Sequence, residues 1–187
     1  MLVKVLDGKR STYRYKDELR NKGFRYSSEP IPHWEGDVSE DKLFEIENWC
    51  FARKLSLITH FSKRSVDYRK SFFKENAGNF GEGRYLCAYC GRILKKENVT
   101  VDHLISVNKV QSSKRYICLV RRLGFKNVND IRNLVPSCKH CNSRKGSKGG
   151  LWIVKGFLGR YRTFWLIFWS VALIIILFFI YLFLTRI

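Results

Sequence analysis

Two pairs of cysteines give the clearest chemical signal in the sequence. Cys87 and Cys90 form one C-x-x-C pair, and Cys138 and Cys141 form the other. Two intervening residues let both thiolates of a pair reach one ion from a tight turn, and two pairs complete a tetrahedral site. Four thiolates leave no position for water, so we expect a structural zinc ion. His140 could replace one cysteine, although we expect it to face solvent or phosphate.

Polar residues suited to phosphodiester chemistry lie between and just after these pairs. The β-branched run Val99-Thr100-Val101 predicts a strand that ends at Asp102 and His103. A second element follows at 131–136 and contains Asn133. Asn142 comes directly after the second cysteine pair. An imidazole with an ordinary pKa can take a proton near pH 7, and carboxylate and amide oxygens bind hard divalent cations.

This order of motifs resembles the HNH, or ββα-metal, endonuclease family. The family pattern is C-x-x-C, a strand ending in D-H, then N-L, then C-x-x-C-[NH]-x-x-K, and it corresponds here to residues 87–145. The resemblance implies an α+β fold with a ββα-metal core around structural Zn²⁺.

Two features of the sequence depart from the family pattern. Leu104 to Val107 replaces the usual proline and glycines, and 106–130 is a long basic excursion in which we expect a short helix at 116–123.

The resemblance also implies a role for each site residue. His103 would be the general base. Asp102 and Asn142 would bind a catalytic Mg²⁺ or Mn²⁺ ion, and Asn133 would orient His103. Arg144 and Lys145 would contact the phosphate backbone. Structural alternatives stay open, because Asn133 could cap a turn and Asn142 could simply begin a helix.

Charge indicates the class of partner. The 187 residues include 35 Lys and Arg against 16 Asp and Glu, a formal net charge of +19. Such an excess favours a polyanion, either nucleic acid or an anionic membrane surface. The N-terminus shows no secretory signal, so a reducing cytosol is expected, where paired cysteines are metal ligands. Cys50 and Cys118 are expected to be buried small hydrophobes, and His33 and His60 have no assigned role.

The C-terminal block predicts a transmembrane helix at 163–185, because this stretch carries no charge and is long enough to cross the bilayer. Lys155, Arg160 and Arg162 precede it, with Tyr161, Trp165 and Trp169 as an aromatic belt. By the positive-inside rule, the N-terminal body is expected to be cytoplasmic in a single-pass, tail-anchored protein. Residues 151–159 are expected to lie in the membrane interface.

The chain therefore divides into four predicted parts. Residues 1–50 form a small α+β module, with strands near 2–5, 12–15 and 24–26 and helices at 16–22 and 40–50. The module bears a weak resemblance to modules that accompany bacterial nucleases and helicases. Its Arg25, Tyr26 and Trp34 could bind nucleic acid, but a small aromatic core is the preferred interpretation. Residues 51–80 form a basic helical connector, 81–150 the HNH domain, and 151–187 the interfacial segment and membrane helix.

Three functions remain open at this point. The leading hypothesis is an endonuclease that hydrolyses DNA, most simply double-stranded DNA, at the inner face of a membrane. A non-catalytic zinc-knuckle adaptor that binds nucleic acid is the alternative. A basic protein that binds anionic lipid would explain the charge and the anchor, but not the cysteine-histidine layout. Pairing a nuclease with an anchor suggests defence against incoming phage DNA.

Overall fold

The computed structural model describes residues 1–81 and 83–185, and it is a mixed α+β structure. Glu82, Arg186 and Ile187 lie outside the described residues, so the chain beyond the expected membrane helix is not described.

The N-terminal module is a four-stranded antiparallel sheet with two helices. Its strands run in the order β2-β3-β1-β4, with β1 at Leu2–Leu6, β2 at Arg25–Ser27, β3 at His33–Asp37 and β4 at Ser56–Ile58. The helices are α1 at Lys16–Asn21 and α2 at Glu40–Ala52. Val3 and Val5 alternate inward along β1 and are fully buried, together with Leu19 of α1.

Two local predictions in this region are wrong. Thr12–Tyr15 is a 3₁₀ helix and not a strand, because the Asp7 carboxylate accepts bonds from both the amide and the hydroxyl of Thr12 and turns the chain. The connector 51–80 is helical only in part. It contributes β4, which pairs with β1, before its helix α3 at Tyr68–Glu75.

The central region holds the elements that carry the predicted site residues. Two antiparallel pairs are present: β5 at Arg84–Leu86 with β6 at Ile93–Lys95, and β7 at Thr100–His103 with β8 at Leu134–Ser137. A 3₁₀ turn leads into each strand of the second pair, at Lys96–Asn98 and Ile131–Asn133. Helix α6 at Lys139–Lys145 follows β8 directly.

The excursion between β7 and β8 folds into two helices with a core of its own. These are α4 at Val107–Ser112 and α5 at Lys114–Arg122, so the predicted helix at 116–123 is confirmed. Ile117 and Val120 are buried in this core, while the basic residues of α5 stay outside. Arg121 of α5 forms a bidentate ion pair with the buried Glu47 of α2, with Nη2 2.7 Å from Oε1 and Nη1 2.9 Å from Oε2. The excursion is thereby attached to the N-terminal module.

The C-terminal region consists of α7 at Leu151–Gly159 and α8 at Arg162–Leu184. Helix α8 has 23 residues with a mean hydropathy of 2.9, and none of its most apolar window is buried. At 1.5 Å per residue it is about 34 Å long, enough to cross a hydrocarbon core of about 30 Å. By length and composition, α8 can serve as a membrane anchor.

Candidate functional site

The four cysteines converge on one point between the two ends of the central region. Their sulfur atoms all lie within 4.8 Å of one another. Cys87 follows β5, and Cys138 is the N-cap residue of α6. Backbone amides support the sulfurs, since the amide of Cys138 donates to Cys87 Sγ at 3.3 Å and that of Cys141 donates to Cys138 Sγ at 3.4 Å. This cluster can bind a metal ion such as zinc.

The electrostatics of the cluster also favour a bound cation. Burial raises the pKa of Cys87 to about 11 and also raises the pKa of Cys141. Burial opposes ionisation of Cys138 as well, but hydrogen bonds from Cys141 and the other thiols lower its pKa. Four thiolates in this enclosed space would repel one another, so ionising all of them requires a compensating metal ion. His140 is exposed and does not belong to the cluster.

An open cavity of about 300 Å³ brings together three of the predicted site residues. Asp102 and His103 reach it from the end of β7, and Asn142 reaches it from α6. Arg64 and Arg69 of the basic connector line the same cavity. The residues that line the cavity therefore include an aspartate, a histidine and an asparagine together with two arginines, a set that suits an anionic substrate.

The ring of His103 is buried and positioned by residues from outside the motif. It packs against the ring of Tyr68 in α3, with centroids 4.8 Å apart, and its Nε2 lies 3.4 Å from Asn129 Oδ1. The pKa of His103 is lowered to about 4, mainly because the ring is buried. The hydrogen bond with Asn129 partly opposes this shift. The imidazole is therefore neutral at physiological pH.

The Asp102 carboxylate is held from the interior. Tyr89 donates its hydroxyl to Oδ2, and Lys145 Nζ lies 2.8 Å from the same oxygen. Lys145 also donates to the carbonyl oxygen of His103 at 2.7 Å, and its side chain is fully buried. The predicted contact of Lys145 with phosphate is therefore wrong, because the ammonium is enclosed within the protein. Arg144, on the same helix, is exposed as expected.

Asn133 is fully buried, but its side chain does not contact the His103 ring. Its Oδ1 accepts from the amide of Ile105 at 2.9 Å, and its Nδ2 donates to the carbonyls of Val128 at 2.7 Å and Ile105 at 3.2 Å. Asn133 therefore fixes the backbone that follows β7. Asn129, and not Asn133, bonds the His103 ring, so the predicted role of Asn133 in orienting His103 would act through the backbone after β7.

Sequence reasoning missed the partners that come from distant segments. Asn129 belongs to no motif, Tyr89 is an intervening residue of the first C-x-x-C pair, and Tyr68 is one of several aromatic residues in the connector. The only available signal was the polar run Asn127 to Asp130, which is typical of a turn with side-chain to backbone bonds. Cys50 is buried as predicted, whereas Cys118 is exposed on α5 and the prediction of burial is wrong.

The aromatic residues of the N-terminal module divide between core and surface. Trp34 is only 4% exposed and belongs to the module's core, as preferred from the sequence. Tyr26 is 57% exposed, and Arg25 beside it is exposed as well. His33 is buried and bonded within the sheet, while His60 is exposed.

Comparisons with protein-family models, with curated proteins and with solved structures gave no match to this chain.

Proposed function

We propose that this protein is a membrane-anchored, metal-dependent endonuclease of the HNH type that hydrolyses phosphodiester bonds in DNA. The observation that carries the proposal is the meeting of Asp102, His103 and Asn142 in one open cavity. The cysteine cluster joins the turn after β5 to the start of α6, the helix that supplies Asn142. A binding module alone does not require this combination of base, carboxylate and amide.

His103 acts as the general base in this proposal, and its tautomer follows from its neighbours. The Asn129 amide is oriented by backbone groups, because its Oδ1 accepts from the Ser65 amide at 2.9 Å and its Nδ2 donates to the Lys63 carbonyl at 2.8 Å. An acceptor therefore faces Nε2 of His103, which must carry the proton. The lone pair then resides on Nδ1, the nitrogen that takes a proton from the attacking water.

The reaction balances as a hydrolysis. Nδ1 of His103 takes one proton from water, the water oxygen forms a bond to phosphorus, and the bond from phosphorus to the 3′ oxygen breaks. The leaving oxygen then takes a proton from solvent. Asp102 and Asn142 supply the carboxylate and amide oxygens that fit a Mg²⁺ or Mn²⁺ ion. When bound, such an ion supplies Lewis-acid stabilisation of the charge that develops on the phosphate and leaving oxygens.

Cationic residues around the cavity would hold the DNA. Arg64 and Arg69 line the cavity, and Arg144 is exposed on the helix that carries Asn142. Guanidinium groups bind phosphate oxygens without reading the base sequence, and they suit a double-stranded substrate whose backbone carries regular charge. The net charge of +19 favours the same partner.

The membrane part of the proposal depends on α7 and α8. Leu151 of α7 is 85% exposed and Val154 is 53% exposed, so α7, like α8, exposes apolar side chains. We place α7 in the interface and α8 across the bilayer, with the basic body on the cytoplasmic side.

Defence against phage DNA entering at the membrane follows as a hypothesis. A truncation lacking residues 163–187 that protects cells from phage as well as the full chain does would refute this link.

Plasmid cleavage tests the catalytic proposal. Detergent-solubilised protein with Mg²⁺ or Mn²⁺ should nick or cut plasmid DNA, and His103→Ala should reduce the rate by about 10²–10⁴-fold, as expected for loss of a general base. His140→Ala is the matched control, because this exposed imidazole lies beside the cysteine cluster and does not line the catalytic cavity. It should retain full activity. Equal cleavage by the His103→Ala variant would refute the assigned base.

One observation favours a second candidate function, a non-catalytic adaptor that binds nucleic acid through the same basic surface. Lys145 and Tyr89 already compensate the Asp102 carboxylate, and a divalent cation would have to bind in their presence. An adaptor needs no such cation. If wild-type protein binds DNA but cleaves no nucleic acid with any divalent metal, the adaptor is the correct assignment.

A further inference from the structure

A second cavity, of about 370 Å³, lies on the N-terminal module. It shares no lining residue with the catalytic cavity. Its volume is within the range of about 300–1,000 Å³ that is usual for small-ligand sites. The lining residues that matter for the argument are Tyr13, Lys16, Arg20, Tyr26 and Trp34.

Aromatic rings form a large part of this surface, and two of them face solvent. Tyr13 is 72% exposed and Tyr26 is 57% exposed. The ring of Tyr26 packs edge-on against Trp34, with centroids 5.4 Å apart, so it is held by the core of the module. Exposed and positioned aromatic rings are what an unpaired nucleobase requires for stacking.

Two cations accompany the rings. Lys16 Nζ lies 4.8 Å from the centroid of the Tyr13 ring, and Arg20 lies 5.9 Å from the centroid of Trp34. The ion pair between Arg20 and Asp17 is weak, because both side chains are exposed to solvent. Arg20 therefore remains able to bind an anion. Asp7 is the acidic residue of the lining, and its Oδ1 accepts hydrogen bonds from the amide and the hydroxyl of Thr12.

We propose that this pocket binds an unpaired nucleobase together with its phosphate, as part of a single strand of nucleic acid. Tyr13 and Tyr26 stack on the base, and Lys16 and Arg20 bind the adjacent phosphates. The proposal does not depend on cleavage, because it concerns binding at a separate site. It gives the N-terminal module a function that the double-strand contacts around the catalytic cavity do not supply.

Fluorescence anisotropy of a labelled, unstructured oligonucleotide tests this inference, with full-length solubilised protein and no added divalent cation. Tyr13→Ala and Tyr26→Ala should each weaken single-strand binding by about five- to hundredfold, the usual effect of removing one stacked ring. Tyr13→Phe and Tyr26→Phe keep the ring and should bind as the wild type does. Phe44→Ala, which removes a 60% exposed ring from α2 outside the pocket, is the matched control.

Each outcome decides the question. Loss of single-strand affinity in the alanine variants, with rescue by phenylalanine and less than a twofold change for a duplex of the same length, supports the pocket. Equal losses for single strand and duplex, no loss at all, or failure of phenylalanine to rescue would overturn it. Competition by adenosine monophosphate as strong as that by the oligonucleotide would also overturn it, because the site would then serve free nucleotides. Plasmid cleavage measured on the same variants shows separately whether the catalytic proposal stands.

Discussion

A single buried cation, Lys145, stabilises both residues that carry the proposed chemistry. Its ammonium group binds the Asp102 carboxylate and the His103 carbonyl oxygen, and it is fully enclosed. Removing one partner of a buried ion pair leaves the other charge unpaired in a medium of low polarity, which is strongly destabilising. Lys145 is therefore a structural residue of the site.

The substitution Lys145→Ala tests this role. It should lower the free energy of unfolding by about 3 kcal/mol, because the Asp102 carboxylate stays buried without its cation. Lys148→Ala is the matched control, since this exposed lysine bonds only the Arg144 carbonyl and should change stability by less than about 0.5 kcal/mol. Urea unfolding measures both. If Lys145→Ala were as stable as the control but bound DNA more weakly, Lys145 would be a phosphate ligand after all.

Asp130 is the residue whose ionisation should give the fold a measurable pH dependence. Hydrogen bonds from the Arg132 side chain are the largest cause of the lowered pKa of this carboxyl. Burial opposes the shift, while hydrogen bonds from the backbone amides of Lys126 and Arg132 lower the pKa further. A lowered pKa in the folded state stabilises the protein above the ordinary carboxyl pKa of about 3.9, and this contribution is lost as the pH falls toward the folded value.

Asp130→Asn should therefore lower the free energy of unfolding by about 1 kcal/mol at pH 7. The difference in unfolding free energy between this variant and wild type should shrink below about pH 4, because the wild-type carboxyl then takes up a proton in the unfolded state. Urea unfolding at several pH values measures the difference directly. Asp17→Asn, at a carboxylate that is 75% exposed, should show no such difference. A constant gap between Asp130→Asn and wild type at all pH values would contradict the mechanism.

At the scale of elements, the cysteine cluster joins the turn after β5 to the start of α6, and these elements support β7 and β8. The amide of Ala88, between the first pair, bonds the Pro136 carbonyl of β8 at 2.9 Å. A metal bound by the four thiols would therefore contribute its binding free energy to the fold of the β7–β8 pair.

Elemental analysis should accordingly find about one zinc ion per chain, and Cys138→Ser should lose both the metal and cooperative folding. Cys118→Ser is the matched control, because this cysteine is exposed on α5 and should leave zinc content and melting temperature unchanged. A Cys138→Ser protein that melts cooperatively at the wild-type temperature would show that the cluster is not a structural metal site.

The predictable part of the site is the part encoded by local spacing. The cysteine pairs, the strand ending at Asp102 and His103, and the nearby Asn142 are short-range patterns, and the structure brings them to one cluster and one cavity. Burial of Lys145 and the use of Asn129 as the partner of the His103 ring depend on contacts over 42 and 26 residues of sequence. Such contacts follow from packing, which local patterns do not encode.

The same limit explains the misassigned elements. β4 is only three residues long and is defined by its pairing with β1, roughly fifty residues earlier in the chain. The extended interpretation of Thr12–Tyr15 failed because Asp7 competes for the backbone amide that a strand would use. For α2, whose start is marked by an N-cap serine, and for the uniformly apolar α8, the predicted bounds lie within two residues of those in the structure.

At the scale of the whole molecule, α7 packs directly against the central region that carries the candidate site. A Cβ atom at Gly159 of α7 would lie 2.0 Å from the Ala88 carbonyl oxygen, so only glycine allows this approach. The ring of Trp152 packs on Tyr89, the residue that bonds Asp102, with centroids 5.4 Å apart. If α8 is anchored in a bilayer as proposed, this packing would hold the candidate cavity close to the membrane surface.

The proposed nuclease requires two metal ions of different chemistry, one bound by the four thiols and one in the cavity at the end of β7. Crystals grown with Mn²⁺ test it through anomalous difference maps recorded at the zinc and manganese absorption edges. The account predicts a zinc peak among the four thiols and a separate manganese peak in the cavity between Asp102 and Asn142. A zinc peak accompanied by an empty cavity, with Lys145 still bound to Asp102 at saturating Mn²⁺, would contradict the nuclease assignment.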